Sequence, residues 1–166
     1  MSRVLLISLA VLIFSFSAGV ASPFEALEIN VLSGMETDRR AGKRAAIMMG
    51  ELRPALSNSA WRPGFGMGTT LSGGPQLTLA PIWRTTLQYR FDVFEIIPFA
   101  SMGLMGHLTD TRNNRTLCAI GFERVYQSGW LTFLELNASF PFSSNLKAGG
   151  VILLGLGYQY TLNPLY

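Results

Sequence analysis

Polar and apolar side chains alternate with a period of two residues along much of this chain. In the stretch 76–90, Trp83 and Leu87 fall on one parity, whereas Arg84 and Gln88 fall on the other. Successive side chains of a β-strand point to opposite faces, so this pattern predicts a strand with one apolar face and one polar face. The same alternation is present in several other segments of the chain.

Eight segments of this kind are separated by turn-rich stretches such as SGGP at 72–75 and QSG at 127–129. The predicted strands are 24–33, 45–53, 61–72, 76–90, 94–108, 115–127, 130–140 and 147–162. The second strand is ambiguous, because the sequence DRRAGKRAAIMMGEL from Asp38 onward would also suit a helix. No linker or low-complexity tract interrupts the series, so we expect a single all-β domain.

The N-terminal residues carry a different pattern. Arg3 precedes an uncharged apolar run from Val4 to Ala21, and this run ends in small residues. A positive charge, an apolar stretch and a small-residue cleavage zone are the three parts of a secretory signal peptide. We therefore expect residues 1–21 to be a cleaved signal peptide and 22–166 to form the mature domain. An uncleaved membrane anchor is the alternative, because eighteen apolar residues are long enough to span a bilayer.

The composition limits the classes of protein that fit. Charged residues make up only 14% of the chain, against about 25% in typical soluble domains. The single cysteine excludes an intrachain disulfide, and a net charge of +3 is too small to indicate a nucleic-acid partner. No metal-binding cluster and no nucleotide-binding motif is present, so we predict no cofactor. With so few charged groups, the surface of the folded chain is expected to face something other than water.

Two all-β architectures fit strands with one apolar face. In a soluble barrel the apolar faces point to an interior core, whereas in a transmembrane barrel they face lipid around a polar lumen. The few charges on the polar faces suit pairing inside a narrow lumen better than coverage of a wet surface. We therefore predict an all-β, up-and-down antiparallel transmembrane β-barrel of eight strands. The predicted polar network of its lumen consists of Glu28, Arg62, Arg84, Gln88, Glu123 and Glu135.

Aromatic residues recur at the ends of the predicted strands. If the N-terminus lies in the periplasm and the strands alternate in direction, these aromatic residues collect at one end of the barrel. Rings with a polar edge favour the boundary between hydrocarbon and water, where membrane barrels carry aromatic girdles. The predicted interfacial girdle consists of Trp61, Tyr89, Phe94, Tyr126, Trp130, Tyr158 and Tyr160.

The opposite end of the barrel would carry basic loops. Seven basic and three acidic residues fall in its connections, which gives that rim a net charge of +4. Guanidinium and ammonium groups at this height would suit the phosphates of lipopolysaccharide, although a solvated polar loop explains them equally well. The basic residues are Arg39, Arg40, Lys43, Arg44, Arg112, Arg115 and Lys147.

The chain ends in GLGYQYTLNPLY, a segment rich in aromatic residues whose last residue is Tyr166. With the strand pattern over nearly the whole mature chain, this ending resembles the small eight-stranded outer-membrane barrels, such as the OmpA transmembrane domain and OmpX. The resemblance implies a bacterial outer-membrane location, surrounding outer-membrane lipid and lipopolysaccharide, insertion by the barrel-assembly machinery, and a monomer. An eight-stranded barrel is filled by its own side chains, so a diffusion porin is not expected. A structural or surface-interaction role follows.

An enzymatic alternative remains open. The run LTLAPIWR…IIPFASMGLMG…FER, from Leu77 to Arg124, is similar to the middle of the lipid A 3-O-deacylases. That family would imply an ester hydrolase with a histidine base and a serine nucleophile two residues later. The only histidine, His107, has no serine at that spacing, so we expect His107 and Ser139 to be structural. A divergent lipid A-modifying esterase is the first alternative, and a soluble periplasmic lipid-binding barrel is the second.

Overall fold

The computed structural model of the chain describes residues 24–38, 43–56, 58–72, 78–91, 95–110, 114–142 and 148–162. The predicted signal peptide, 1–21, lies outside the described residues. Eight β-strands account for most of the described chain. They are β1 (Phe24–Asp38), β2 (Lys43–Leu56), β3 (Trp61–Ser72), β4 (Thr78–Arg90), β5 (Ile96–His107), β6 (Arg115–Val125), β7 (Trp130–Pro141) and β8 (Gly149–Thr161).

Each strand pairs with the next in sequence, and β8 pairs with β1, so the sheet closes into a barrel. The closing pair is antiparallel, with Ile29 opposite Tyr158, as are all the other pairs. We call the end that contains Phe24 and Thr161 the near end, and the end that contains Asp38 and Gly149 the far end. The prediction of an eight-stranded, up-and-down, antiparallel barrel is confirmed.

The first two strands are longer than the sequence pattern predicted. β1 continues to Asp38 and β2 starts at Lys43, so most of the predicted connection 34–44 is strand rather than loop. The alternation explains the extension, because Glu36 is buried whereas Met35 is exposed. The ambiguous segment from Asp38 onward is therefore a strand over its described residues and not a helix.

The β6–β7 hairpin turns tightly at the near end. The N–H of Gly129 donates to the carbonyl of Tyr126 at 2.9 Å, and the N–H of Tyr126 donates to the carbonyl of Trp130 at 2.8 Å. Gly129 has a φ of 83°, which only glycine adopts without strain. This short connection brings Tyr126 and Trp130 to the same rim of the barrel.

Candidate functional site: the barrel interior and the outer surface

The outer surface of the barrel is apolar. Leu79 and Ile120 are 66% and 65% exposed, whereas Arg84 and Gln88 are each only 1% exposed. In β4, Leu87 is exposed and lies between these two buried polar residues, as the alternation predicted. A soluble lipid-binding barrel has the opposite polarity, with apolar side chains inside around a ligand. An apolar outer surface around an interior that holds charged side chains is the arrangement found in transmembrane β-barrels.

Two aromatic clusters stand on opposite sides of the near end. On β3 and β4, Trp61 packs edge-to-face on Tyr89 with ring centroids 4.9 Å apart, and Tyr89 packs on Phe91 at 5.0 Å. The second cluster, on β7 and β8, has the same geometry. It comprises Trp130, Tyr158 and Tyr160, with centroid separations of 5.4 and 4.9 Å.

These clusters contain five of the seven residues predicted for the interfacial girdle. Of the other two, Tyr126 is exposed at the same end under the guanidinium of Arg124, and Phe94 lies outside the described residues. Edge-to-face pairs hold the rings against the barrel surface while their polar edges remain accessible. The geometry therefore suits anchoring of this rim at a membrane–water interface.

Four charged residues form a ring in the middle of the barrel interior. This central ring consists of Glu51, Arg53, Arg84 and Glu135, and each arginine contacts both carboxylates. Arg53 lies 3.1 Å from Glu51 and 3.7 Å from Glu135. Arg84 is ion-paired with Glu135 and lies 3.8 Å from Glu51. The hydroxyl of Thr86 also donates to Glu51 at 2.8 Å.

A second group of charges lies between this ring and the near end. In this near-end cluster, Arg90 is ion-paired with Glu123 and lies 2.6 Å from Glu28. Arg62 lies 3.9 Å from Glu28 and is the least buried member, with 11% of its side chain exposed. The amide of Gln88 donates to Glu123 at 3.3 Å. All six residues of the predicted polar network thus lie in the central ring or the near-end cluster.

The two groups balance their charges. Together they hold four arginines and four glutamates, and each of these side chains lies within 4 Å of an opposite charge. Burying a charge costs several kcal/mol, and only a close opposite charge with further hydrogen bonds offsets that cost. Equal numbers of both signs therefore let a narrow interior hold eight ions without a buried excess.

Three members of these groups were missed by the sequence reasoning. Glu51 and Arg53 fall in the segment whose strand assignment was ambiguous, so its parity was not used. Arg90 follows Gln88 on the same parity of β4 and was not included in the predicted lumen network. In each case the signal was present, because a charge two residues from another inward residue of a strand must point inward.

An apolar layer fills the interior beyond the central ring. Its members are Leu32, Ile47, Met49, Ile82, Met105, Leu117, Val151 and Leu153, all of them buried. Three further residues of the same buried cluster, Phe99, Leu131 and Phe133, lie on the near-end side beside the charged groups, and Cζ of Arg53 is 4.8 Å from the centre of the Phe133 ring. Along β4 the inward residues run from Arg90 through Arg84 to Ile82, so the layer lies on the far side of the charges. The expectation of a polar lumen is therefore incomplete, because the interior has polar and apolar levels.

One more ion pair lies beyond the apolar layer. Arg115, the first residue of β6, is buried and ion-paired with Glu36 of β1. The prediction that Arg115 lies in a lipopolysaccharide-facing loop was therefore wrong. Its inward parity in the strand, together with a carboxylate across the barrel, draws the side chain inside.

The other predicted loop residues are placed only in part. Lys43 and Arg44 belong to β2, so they are strand residues rather than loop residues, and only their backbone is described. The rest of the basic set lies outside the described residues. These residues are Arg39, Arg40, Arg112 and Lys147.

His107 and Ser139, which the sequence predicts to be structural, face the interior at the far end. His107 ends β5 and is half-buried, and Ser139 of β7 is fully buried with no hydrogen-bond partner for its hydroxyl in the described part of the chain. Within the described ranges, no three residues of the His, Cys, Asp and Glu types are grouped so as to hold a metal ion. The described residues also contain no helix of the length and hydrophobicity needed to cross a membrane.

The closed sheet and its inverted polarity define the fold as a small transmembrane β-barrel of the outer-membrane type. The chain is similar to the crystal structure of the N-terminal β-barrel domain of OprF from Pseudomonas aeruginosa. The TM-score is 0.63, and the match covers 82% of this chain and 98% of that chain. The sequences are 12% identical, so the likeness is one of fold. No family model and no curated protein matches the chain.

Proposed function

We propose that the protein is an integral outer-membrane barrel with a structural role and an interior closed to diffusion. The observation that carries this proposal is the combination of an apolar outer surface with a lumen lined by buried, paired charges and buried apolar side chains. Exposed side chains such as Leu79 and Ile120 would be costly in water over so large a continuous surface. In a bilayer the same apolar side chains contact lipid tails at no such cost. The closed sheet also leaves no strand edge with unpaired backbone N–H and C=O groups.

Two barriers in series support closure of the lumen. An ion passing through the barrel would meet the fixed charges of the central ring and the near-end cluster, and also a level whose buried side chains are mainly apolar. The polar side chains at that level, Asn137 and Ser139, carry no charge. An ion that crosses must therefore pass both a charged and an apolar level. His107 and Ser139 lie in the same enclosed interior, away from lipid, which favours a non-enzymatic role.

We propose that the protein acts as a monomer inserted by the barrel-assembly machinery. Closure of the sheet within one chain supports this proposal, because all eight strands have both edges paired and none is left to recruit a second subunit. We also propose that the N-terminus lies in the periplasm, so that the near end faces the periplasm and the far end faces outward.

The first test of the proposal measures membrane insertion and closure. The native barrel is expected to migrate differently on denaturing gels before and after boiling, to resist carbonate extraction, and to show no steady conductance in planar bilayers. Recovery of the folded protein in the soluble fraction would refute the membrane location. Stable open channels of the unmodified protein would instead refute a closed interior.

We also propose that basic residues at the far end contact lipopolysaccharide phosphates. Changing four of them to glutamate is expected to weaken binding of purified lipopolysaccharide, because attraction to phosphate becomes repulsion. Binding by the native protein should also weaken with added salt, since salt screens exposed charges beyond about 10 Å at 0.1 M. Equal binding by native and variant protein would exclude this role. The four residues are Arg39, Arg40, Lys43 and Arg44.

A further inference from the structure

A shallow apolar groove lies on the outer surface at the near end, where β5 begins and β6 ends. It is lined by Glu95, Ile96, Pro98 and Phe122 and has a volume of about 600 Å³. Ile96 and Phe122 are 51% and 56% exposed, so the groove is open to whatever surrounds the barrel.

A cation and an anion border this groove. Arg124 lies opposite Ile96 in the β5–β6 register, and its Nη2 is 3.7 Å from Oε2 of Glu95. Half of the Arg124 side chain and 90% of the Glu95 side chain are exposed. The guanidinium also lies over the ring of Tyr126, with Cζ 5.2 Å from the ring centroid.

This ion pair does little for the stability of the fold. A long contact between two exposed side chains contributes about 0–1 kcal/mol, since water and salt screen it. The two contacts of Arg90 inside the barrel, with Glu28 and Glu123, are by contrast shorter and have almost no access to solvent. The cation–π contact with Tyr126 nevertheless favours a position of the guanidinium at the level of the aromatic rim. Arg124 and Glu95 are thus held beside the groove with their charged groups accessible to a ligand.

We propose that this groove binds a phospholipid whose headgroup carries a primary ammonium. The guanidinium of Arg124 would hold the phosphate, for which its planar set of donors is suited. The carboxylate of Glu95 would accept hydrogen bonds from the ammonium, and an acyl chain would lie along Ile96, Pro98 and Phe122. Both headgroup charges then meet an opposite charge. The proposal rests on the membrane location proposed above.

Headgroup chemistry provides the test. Folded barrel in detergent is titrated with phosphatidylethanolamine, phosphatidylcholine and phosphatidylglycerol of identical acyl chains, and bound lipid is counted by native mass spectrometry. We expect phosphatidylethanolamine to bind best, because a quaternary ammonium has no N–H to donate and a glycerol headgroup has no positive charge. Arg124→Gln is expected to weaken phosphatidylethanolamine binding about tenfold, which is the effect of losing one charge-assisted hydrogen bond.

Two further variants assign the parts of the site. Glu95→Gln should remove the preference for phosphatidylethanolamine over phosphatidylglycerol, whereas Glu25→Gln, on β1 at the same end, should leave it unchanged. Phe122→Ala should weaken binding of all three lipids. Leu134→Ala, its neighbour in the β6–β7 register, should not.

Failure of the lipid site and failure of the membrane location give different experimental results. Equal binding of the three lipids by native protein, or unchanged binding by Arg124→Gln, would overturn the lipid site while heat-dependent migration still supports a membrane barrel. Loss of that migration with recovery in the soluble fraction would instead overturn the membrane location itself.

Discussion

Replacing Arg84 by methionine is expected to lower the free energy of unfolding of the barrel by about 3–5 kcal/mol, the usual cost of breaking a buried ion pair. The substitution removes one of the two cations of the central ring. Glu135 and Glu51 then share Arg53 alone, with one net negative charge left in the interior. Urea unfolding of the barrel in lipid vesicles, followed by tryptophan fluorescence, measures the change.

A double variant separates charge imbalance from loss of packing. Arg84→Met combined with Glu135→Leu removes one charge of each sign and leaves Arg53 paired with Glu51. We expect this variant to recover most of the lost stability, since well-packed apolar replacements of a buried pair are often neutral. Arg124→Met, at an exposed pair, serves as the control with a change below about 1 kcal/mol. Equal small losses at Arg84 and Arg124 would contradict the importance of the buried ring.

Replacing Leu154 by arginine is expected to destabilise the membrane-inserted barrel by about 2–4 kcal/mol, the cost of a cation on the lipid face near the midplane. Leu154 lies in the middle of β8 and is 59% exposed. In a soluble protein an exposed leucine can become arginine with little effect. The size of the destabilisation therefore distinguishes lipid from water around this surface, and the same vesicle unfolding experiment measures it.

Thr161→Arg provides the matched control for Leu154→Arg. Thr161 is the last residue of β8 and is exposed at the near end, where the cost of a cation falls to about 0–1 kcal/mol. A stable Leu154→Arg protein, or one that moves into the soluble fraction in folded form, would contradict burial of this surface in a bilayer.

The strands were largely predictable from the sequence, because alternation is a local property. The parity of Trp83 and Arg84 predicts that they lie on opposite faces, and the low content of charged residues indicates that Arg84 is the one inside. The structure agrees, because Arg84 is buried and Trp83 is partly exposed. The far ends of β1 and β2 were missed where charged residues made the connection look like a loop. Glu36 and Arg115 illustrate the reason. A charged residue next to a turn is expected to be exposed, and the sequence does not show that these two form an ion pair across the barrel.

The pairing inside the barrel was not predictable in the same way. Arg84 and Glu135 are 51 positions apart in the chain and meet only through the stagger of the closed sheet. The apolar layer was missed for a related reason. β8 is apolar on both faces around Leu153 and Leu154, so its pattern does not reveal that the lumen has an apolar level.

Apart from Arg53 and Glu51, which both belong to β2, the ion pairs inside the barrel join strands that are not neighbours. Examples are Arg90 of β4 with Glu28 of β1 and Arg115 of β6 with Glu36 of β1. Two strands lie between the partners in each of these pairs, so their side chains meet across the interior only when the sheet is curved into a barrel. In an incompletely closed sheet these charged side chains remain hydrated. Inserting such a sheet into the bilayer is unfavourable, because moving unpaired charged side chains into hydrocarbon costs several kcal/mol. Insertion therefore selects for the closed barrel, because only the closed barrel buries and pairs its interior charges before it enters the bilayer.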